Sequence, residues 1–163
     1  MQFTIKRDVL LKSLNFVQGV VEKKNTLPIL SNVLLNLKDK KLEIVATDLD
    51  IVFYDEITEL NIVEEGSTTT SANVLFDILR KIPQNAEINF VKKNENKLSL
   101  KTENSDFNLL CLPTTNFPTF NDNFENEQID IDKAKFLSLL NKTKISISND
   151  DTRHYLNGVY LHI

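Results

Sequence analysis

Apolar positions along this chain recur with two periods, and the periods alternate in a fixed order. Leu10, Leu14, Val17 and Val21 fall at i, i+4, i+7 and i+11, one face of a helix. Leu75, Ile78, Leu79 and Ile82 repeat the pattern, and Pro83 ends that helix. Phe136, Leu137 and Leu140 begin a third. A short alternating run precedes each: "FTIKRDVLLKSL" from Phe3, "TTTSANVLFDIL" from Thr68 and "IDIDKAKFLSLL" from Ile129. After the first two helices the period switches to two. Strands are predicted at 32–37, 41–47 and 49–57, then at 86–91, 97–102 and 106–112. The repeating unit is therefore one strand, one helix and three strands. Two copies predict an α+β domain with two helices packed on sheet.

The polar, proline-bearing stretch "PTTNFPTFNDNFENE" reads as a connection to further structure. This divides the chain into a first domain (1–120), a linker (121–127) and the opening of a second domain (128–163). The closing segment "RHYLNGVYLHI" alternates like a strand. By the repeat spacing, Val159, Leu161 and Ile163 correspond to Val33, Leu35 and Leu37. That predicts the first meander strand of a third unit without its two partners, and a fragment cut inside the second domain.

Composition changes this picture little. The chain has 163 residues, 41% hydrophobic and 26% charged, as in an ordinary globular protein. No apolar run reaches the ~20 residues needed to cross a bilayer, and charges at Lys6, Arg7 and Asp8 break any leader-like stretch. Cys111 is the one cysteine, which suits a reducing compartment, so a cytoplasmic location is expected. Candidate chemistry is sparse. Asp48 and Asp50 share a strand face, but two carboxylates make a poor metal site and a polar turn is the better reading. Gly19, Gly66 and Gly158 form no phosphate-cradling loop. No zinc spacing and no nucleophile motif are present, so neither a cofactor nor catalysis is expected.

Charge placement says more. Net charge is −4. The helical segments 6–21, 71–82 and 132–145 carry nine bases and three acids, net +6, which leaves −10 on everything else. Cations at a helix C-terminus are ordinary, as for Arg80 and Lys81. Three helices agreeing in sign predict a basic wall on an acidic protein. Such a wall attracts a polyanion without reading bases, and the scarcity of interleaved aromatics favours duplex over single strand. A rival reading has the helices meeting an acidic protein partner without encircling DNA.

The stretches "MQFTIKRDVLLKSL", "TLPILSNVLL" (26–35), "ATDLD" (46–50), "LPTTNFPTF" (112–120) and "RHYLNG" (153–158) resemble the bacterial sliding clamp, the beta subunit of DNA polymerase III. The resemblance runs from Met1 to Ile163. It implies a DNA-clamp fold of three similar domains and a head-to-tail homodimeric ring with helices inside and strands outside. It further implies a non-enzymatic processivity factor that slides on double-stranded DNA and binds DNA polymerase III and clamp loader subunits.

Site residues follow from the resemblance. Arg7, Lys12, Lys24 and Arg80 are implied DNA contacts. For Arg7 a plain surface charge, and for Lys24 a solvated loop lysine, stand as alternatives. His154 and Tyr155 match aromatics near DNA, with histidine where tyrosine is common. Arg153 and Leu156 match part of a pocket for partner peptides, and Tyr155 and Leu156 could instead pack as they enter a strand. Phe107 and Leu109 match the edge that meets the second subunit. By alternation they point one way with Cys111, toward either a partner or the domain's own core.

Overall fold

The computed structural model describes residues 1–21, 27–119, 129–148 and 152–162, with the side chain of His154 left out. The chain divides into two compact units, residues 1–120 and 121–163.

The first unit carries β1 (Gln2–Lys6), α1 (Arg7–Val17), β2 (Asn32–Lys38), β3 (Lys41–Thr47), β4 (Val52–Ile57), β5 (Leu60–Glu64), β6 (Gly66–Ser71), α2 (Ala72–Lys81), β7 (Glu87–Asn94), β8 (Lys97–Lys101) and β9 (Asp106–Leu112). Nine strands form one sheet in the order β4-β3-β2-β6-β9-β8-β7-β1-β5. The two copies exchange their leading strands. β1 pairs antiparallel with β7 of the second meander, and β6 pairs antiparallel with β2 of the first. Neither copy can complete its sheet without the other, which makes the duplication one cooperative domain.

The helices take their lengths from local chemistry. Ser71 caps α2 by accepting the Val74 amide, and Pro83 removes the donor that would continue it. Asp8 sits in the first turn of α1, where the helix dipole favours an anion. Leu10, Leu14 and Val17 of α1, with Leu75 and Leu79 of α2, are fully buried in one core against Phe3, Ile5, Leu35, Ile44, Phe90 and Leu100 of the strands. Full burial of each such side chain contributes about 1.5–3 kcal/mol. Both helices therefore lie on one face of the sheet, and their opposite faces are wet.

Two departures from the predicted strands matter most. β4 starts at Val52 and not at Leu49, because residues 48–51 form a side-chain-locked turn: Asp48 Oδ1 accepts the amides of Asp50 (3.0 Å) and Ile51 (2.7 Å). That turn gives Asp48 a structural task, and among the described residues no cluster of three or more His, Cys, Asp or Glu could hold a metal. β5 is an added strand, beyond the three predicted after α1. Only Leu60 and Ile62 of it face the core, opposite Ile5 and Phe3 of β1, so its periodicity in sequence is short.

The second unit carries α3 (Lys133–Thr143), capped by Asp132 through the Lys135 amide at 2.8 Å. None of its residues is buried. A short 3-10 turn spans His154–Leu156, tied back by a hydrogen bond from the Ser148 amide to the Leu156 carbonyl (2.9 Å). The strand expected over 157–163 is corrected: residues 159–162 have no strand structure, since a strand exists through its ladder and no described strand pairs with them. Ile163 and the linker 121–127 lie outside the described residues.

Candidate nucleic-acid interface

Helical spacing fixes what the wet face presents. With Leu10, Leu14 and Val17 inward, Lys12 and Asn15 project away from the sheet. With Ala72, Leu75 and Leu79 inward, Asp77 and Lys81 project away, and Arg80 lies on a flank. Lys6, Lys12 and Lys81 are exposed and form no salt bridge among the described residues. The Arg80 side chain is 63% exposed, stacks over the Phe76 ring at 5.5 Å and stands 4.0 Å from Asp77.

Arg7 differs from the expectation of a free contact. Its side chain is 12% exposed. Nε donates to the Leu79 carbonyl at 2.8 Å, Nη2 to the Arg80 carbonyl at 3.4 Å, and Nη1 pairs with Asp8 at 2.6 Å. Asp8 in turn accepts the Asn85 amide at 2.7 Å. That amide, then Arg7, holds the Asp8 carboxyl below its ordinary range. The start of α1 thus clasps the end of α2, a link that no periodicity could reveal.

On α1 and α2 the basic face is thinner than the residue count implied. Each helix spends one acid on its own arginine, which leaves Lys6, Lys12 and Lys81 with the flanking Arg80. The described strands and turns of residues 27–119 hold thirteen acids and seven bases. Those charges are not purely negative in layout. Lys41 bridges Glu43 and Glu56, Lys92 meets Glu95, and Lys101 meets Asp106. The Lys41 pairing raises its pKa, chiefly through Glu56.

The expected partner edge resolves into two parts. Leu109 is 4% exposed and Phe107 is half-buried against the core, so alternation points both inward; this corrects the view that the Leu109 side chain meets a partner. The backbone is a different matter. β8 pairs with β9 along its length, whereas β6 reaches only Cys111 and Leu112. Residues 106–109 therefore keep one edge without a strand beside it among the described residues. A groove of about 1090 Å³ adjoins this edge, walled by Val74, Ile78 and Lys81 of α2, the 102–105 turn and Phe107.

In the second unit Tyr155 is 82% exposed, and Leu156 is partly exposed in the same short turn. Arg153 precedes that turn, and its carbonyl accepts the Leu156 amide at 2.8 Å. Lys24 and the His154 side chain lie outside the described residues. Lys81 was missing from the expected site. Its place at the solvent side of α2, four residues after Asp77, was the signal available.

The described helix length excludes a membrane-spanning helix among the described residues. The profile described as "DNA polymerase III beta subunit, N-terminal domain" matches residues 1–121. A beta sliding clamp of Caulobacter vibrioides is 38% identical over 164 residues, covering 99% of this chain and 44% of the relative. One of Pseudomonas putida is 37% identical, covering 100% and 44%. The crystal structure of a C. crescentus beta sliding clamp superposes with a TM-score of 0.94 at 39% identity, over 99% of this chain and 43% of that one. The DNA polymerase III subunit beta of Pseudomonas aeruginosa gives a TM-score of 0.89 at 35% identity, over 97% and 43%. The chain thus spans less than half the length of these relatives. With a duplicated strand–helix–meander domain, helices on one face and this match over residues 1–121, the chain belongs to the family of the DNA polymerase III beta subunit, over its N-terminal domain.

Proposed function

We propose that this chain is part of a sliding clamp, a ring that encircles double-stranded DNA without reading its sequence and tethers DNA polymerase III. The observation that carries the reading is the placement of α1 and α2 on one face of the sheet, with Lys12, Lys81 and Arg80 turned away from the core. Long, mobile cations give counterion release without a fixed register, which suits a protein that must move along its ligand. Arg7 contributes through the fold, and Lys24, His154 and Tyr155 are further proposed contacts. Arg153 and Leu156 are proposed to serve polymerase and clamp loader peptides. Phe107 and the open edge of β9 are proposed to meet a second subunit head to tail, with Leu109 supporting that edge from the core. No cofactor is proposed, the role is non-catalytic, and the site of action is the cytoplasm.

Titrating this chain with fluorescent duplexes of unrelated sequence, at several salt concentrations, tests the reading. The three helix cations Lys12, Arg80 and Lys81 predict a contribution of about −2.7 to the log–log slope, the same for every sequence. A slope near zero, or discrimination between duplexes of more than tenfold, would overturn it.

A further inference from the structure

Pro83 leaves a specific vacancy. In a continuing helix the Leu79 carbonyl would accept the amide of residue 83, but proline has none. The Ile78 carbonyl is satisfied by the Ile82 amide at 3.2 Å, so the deficit begins one residue later. Arg7 fills it from across the domain, with Nε on the Leu79 carbonyl and Nη2 on the Arg80 carbonyl. Its main-chain amide also donates to the Ala86 carbonyl at 2.9 Å, and Asp8 holds the Asn85 amide. Asn85 has φ +60°, the left-handed turn conformation that asparagine tolerates. Arg80 and Lys81, the cations α2 presents, stand three and two residues before Pro83.

We propose that Arg7 is a positioning residue for duplex binding: by supplying the donors that Pro83 denies to α2, it fixes the last helical turn and with it the direction of Arg80 and Lys81. This rests on the duplex-binding reading above. Arg7 is well suited to the task and badly placed for contact. A guanidinium offers a planar fork that spans two carbonyls and a carboxylate at once, and here all three are taken. A lysine at the same position keeps the charge and loses the fork.

The test is a cycle on the whole chain, reading the salt slope of duplex binding by fluorescence anisotropy. R7Q and R7K are each made in the wild-type background, and R7Q also in an R80A/K81A background. R7Q and R7K are both expected to move the helix contribution to the slope from about −2.7 toward the R80A/K81A value near −0.9. In the R80A/K81A background R7Q is expected to change nothing further, because the cations it acts through are gone. Hydrogen exchange is expected to speed up at the amides of Lys81, Ile82 and residues 84–86 and to stay unchanged in the middle of α1. Should R7Q fail to fold, R7K carries the test, since it preserves the charge next to Asp8.

A wild-type slope in R7Q or R7K would reduce Arg7 to a stabilising or purely electrostatic role and overturn the proposal alone. A further loss of about 0.9 in the R80A/K81A background would make Arg7 a phosphate contact, which also overturns it. If R80A/K81A itself keeps the wild-type slope, the duplex reading of α2 fails first and the positioning role falls with it.

Discussion

Phe3 and Phe90 offer the sharpest test of how the two repeats are joined. They face each other across the β1–β7 ladder, one from each copy, with ring centroids 4.8 Å apart and planes within 8°. Both are completely buried. Truncating Phe90 to alanine is expected to cost about 3–5 kcal/mol, a large part of the ~5–15 kcal/mol that holds a typical domain together. The more diagnostic quantity is the coupling. Stacked aromatic pairs contribute about 0.5–1.5 kcal/mol beyond the area they bury. In a cycle of Phe3→Leu, Phe90→Leu and the double variant, the double should be less destabilised than the summed singles by that amount. Urea unfolding followed by far-ultraviolet circular dichroism suits a chain without tryptophan. Additivity within about 0.3–0.5 kcal/mol would mean that the rings do not touch. The exchange of leading strands between the copies would then be wrong.

Other consequences follow from single residues. Asp8 has its folded pKa depressed below the ordinary 3.8, first by the Asn85 amide and then by Arg7. Its contribution is therefore present above that value and lost as pH falls through the lower, folded one. Asp8→Asn should flatten the fall of Tm on acidification below about pH 5, and parallel curves for the two proteins would refute the clasp. Gly66 has φ +145°, and a Cβ there would stand 3.1 Å from that of Met1. Gly66→Ala should cost about 1–3 kcal/mol in urea unfolding, and an unchanged midpoint would remove the argument. Ser13, buried in α1, donates to Asp55 Oδ2 of β4 at 2.5 Å. Ser13→Ala should cost about 1.5–3 kcal/mol alone and much less in an Asp55→Ala background; equal costs in both would deny the bond.

Much of this fold was legible in sequence because burial writes its own period. Leu10, Leu14 and Val17, and then Leu75 and Leu79, are the buried stripe that their spacing predicts. Alternation put Leu109 and Cys111 on one side of β9, and their burial makes that side the core. What escaped was non-periodic or non-local. β5 has two inward side chains, too few to count against its acidic surroundings. The turn at 48–51 depends on one carboxylate capping two amides, so strand-like residues there are not strand. The segment after Gly158 has the alternation of a strand but no strand beside it among the described residues. Arg7 is the plainest case. Its charge was readable, but its partners are carbonyls more than seventy residues away, and backbone acceptors leave no mark in a sequence. Residue type gave the sign of the helix face, whereas the pairing of each arginine with its own helix's acid set how much of that charge is free.

The claim on which the functional reading stands is that the free positive charge belongs to the helix face and not to the outer strands. Two double variants with the same change in net charge separate the faces: Lys12→Glu with Lys81→Glu on the helices, and Lys97→Glu with Lys101→Glu on β8, whose neighbours Leu98 and Leu100 face the core. Duplex affinity of each is measured by anisotropy at one low salt concentration. The helix pair should abolish measurable binding, and the β8 pair should stay within about twofold of wild type, apart from the long-range share that salt screens. Equal weakening by both pairs would mean that net charge alone governs the interaction, and the encircling of DNA by this helix face would be contradicted.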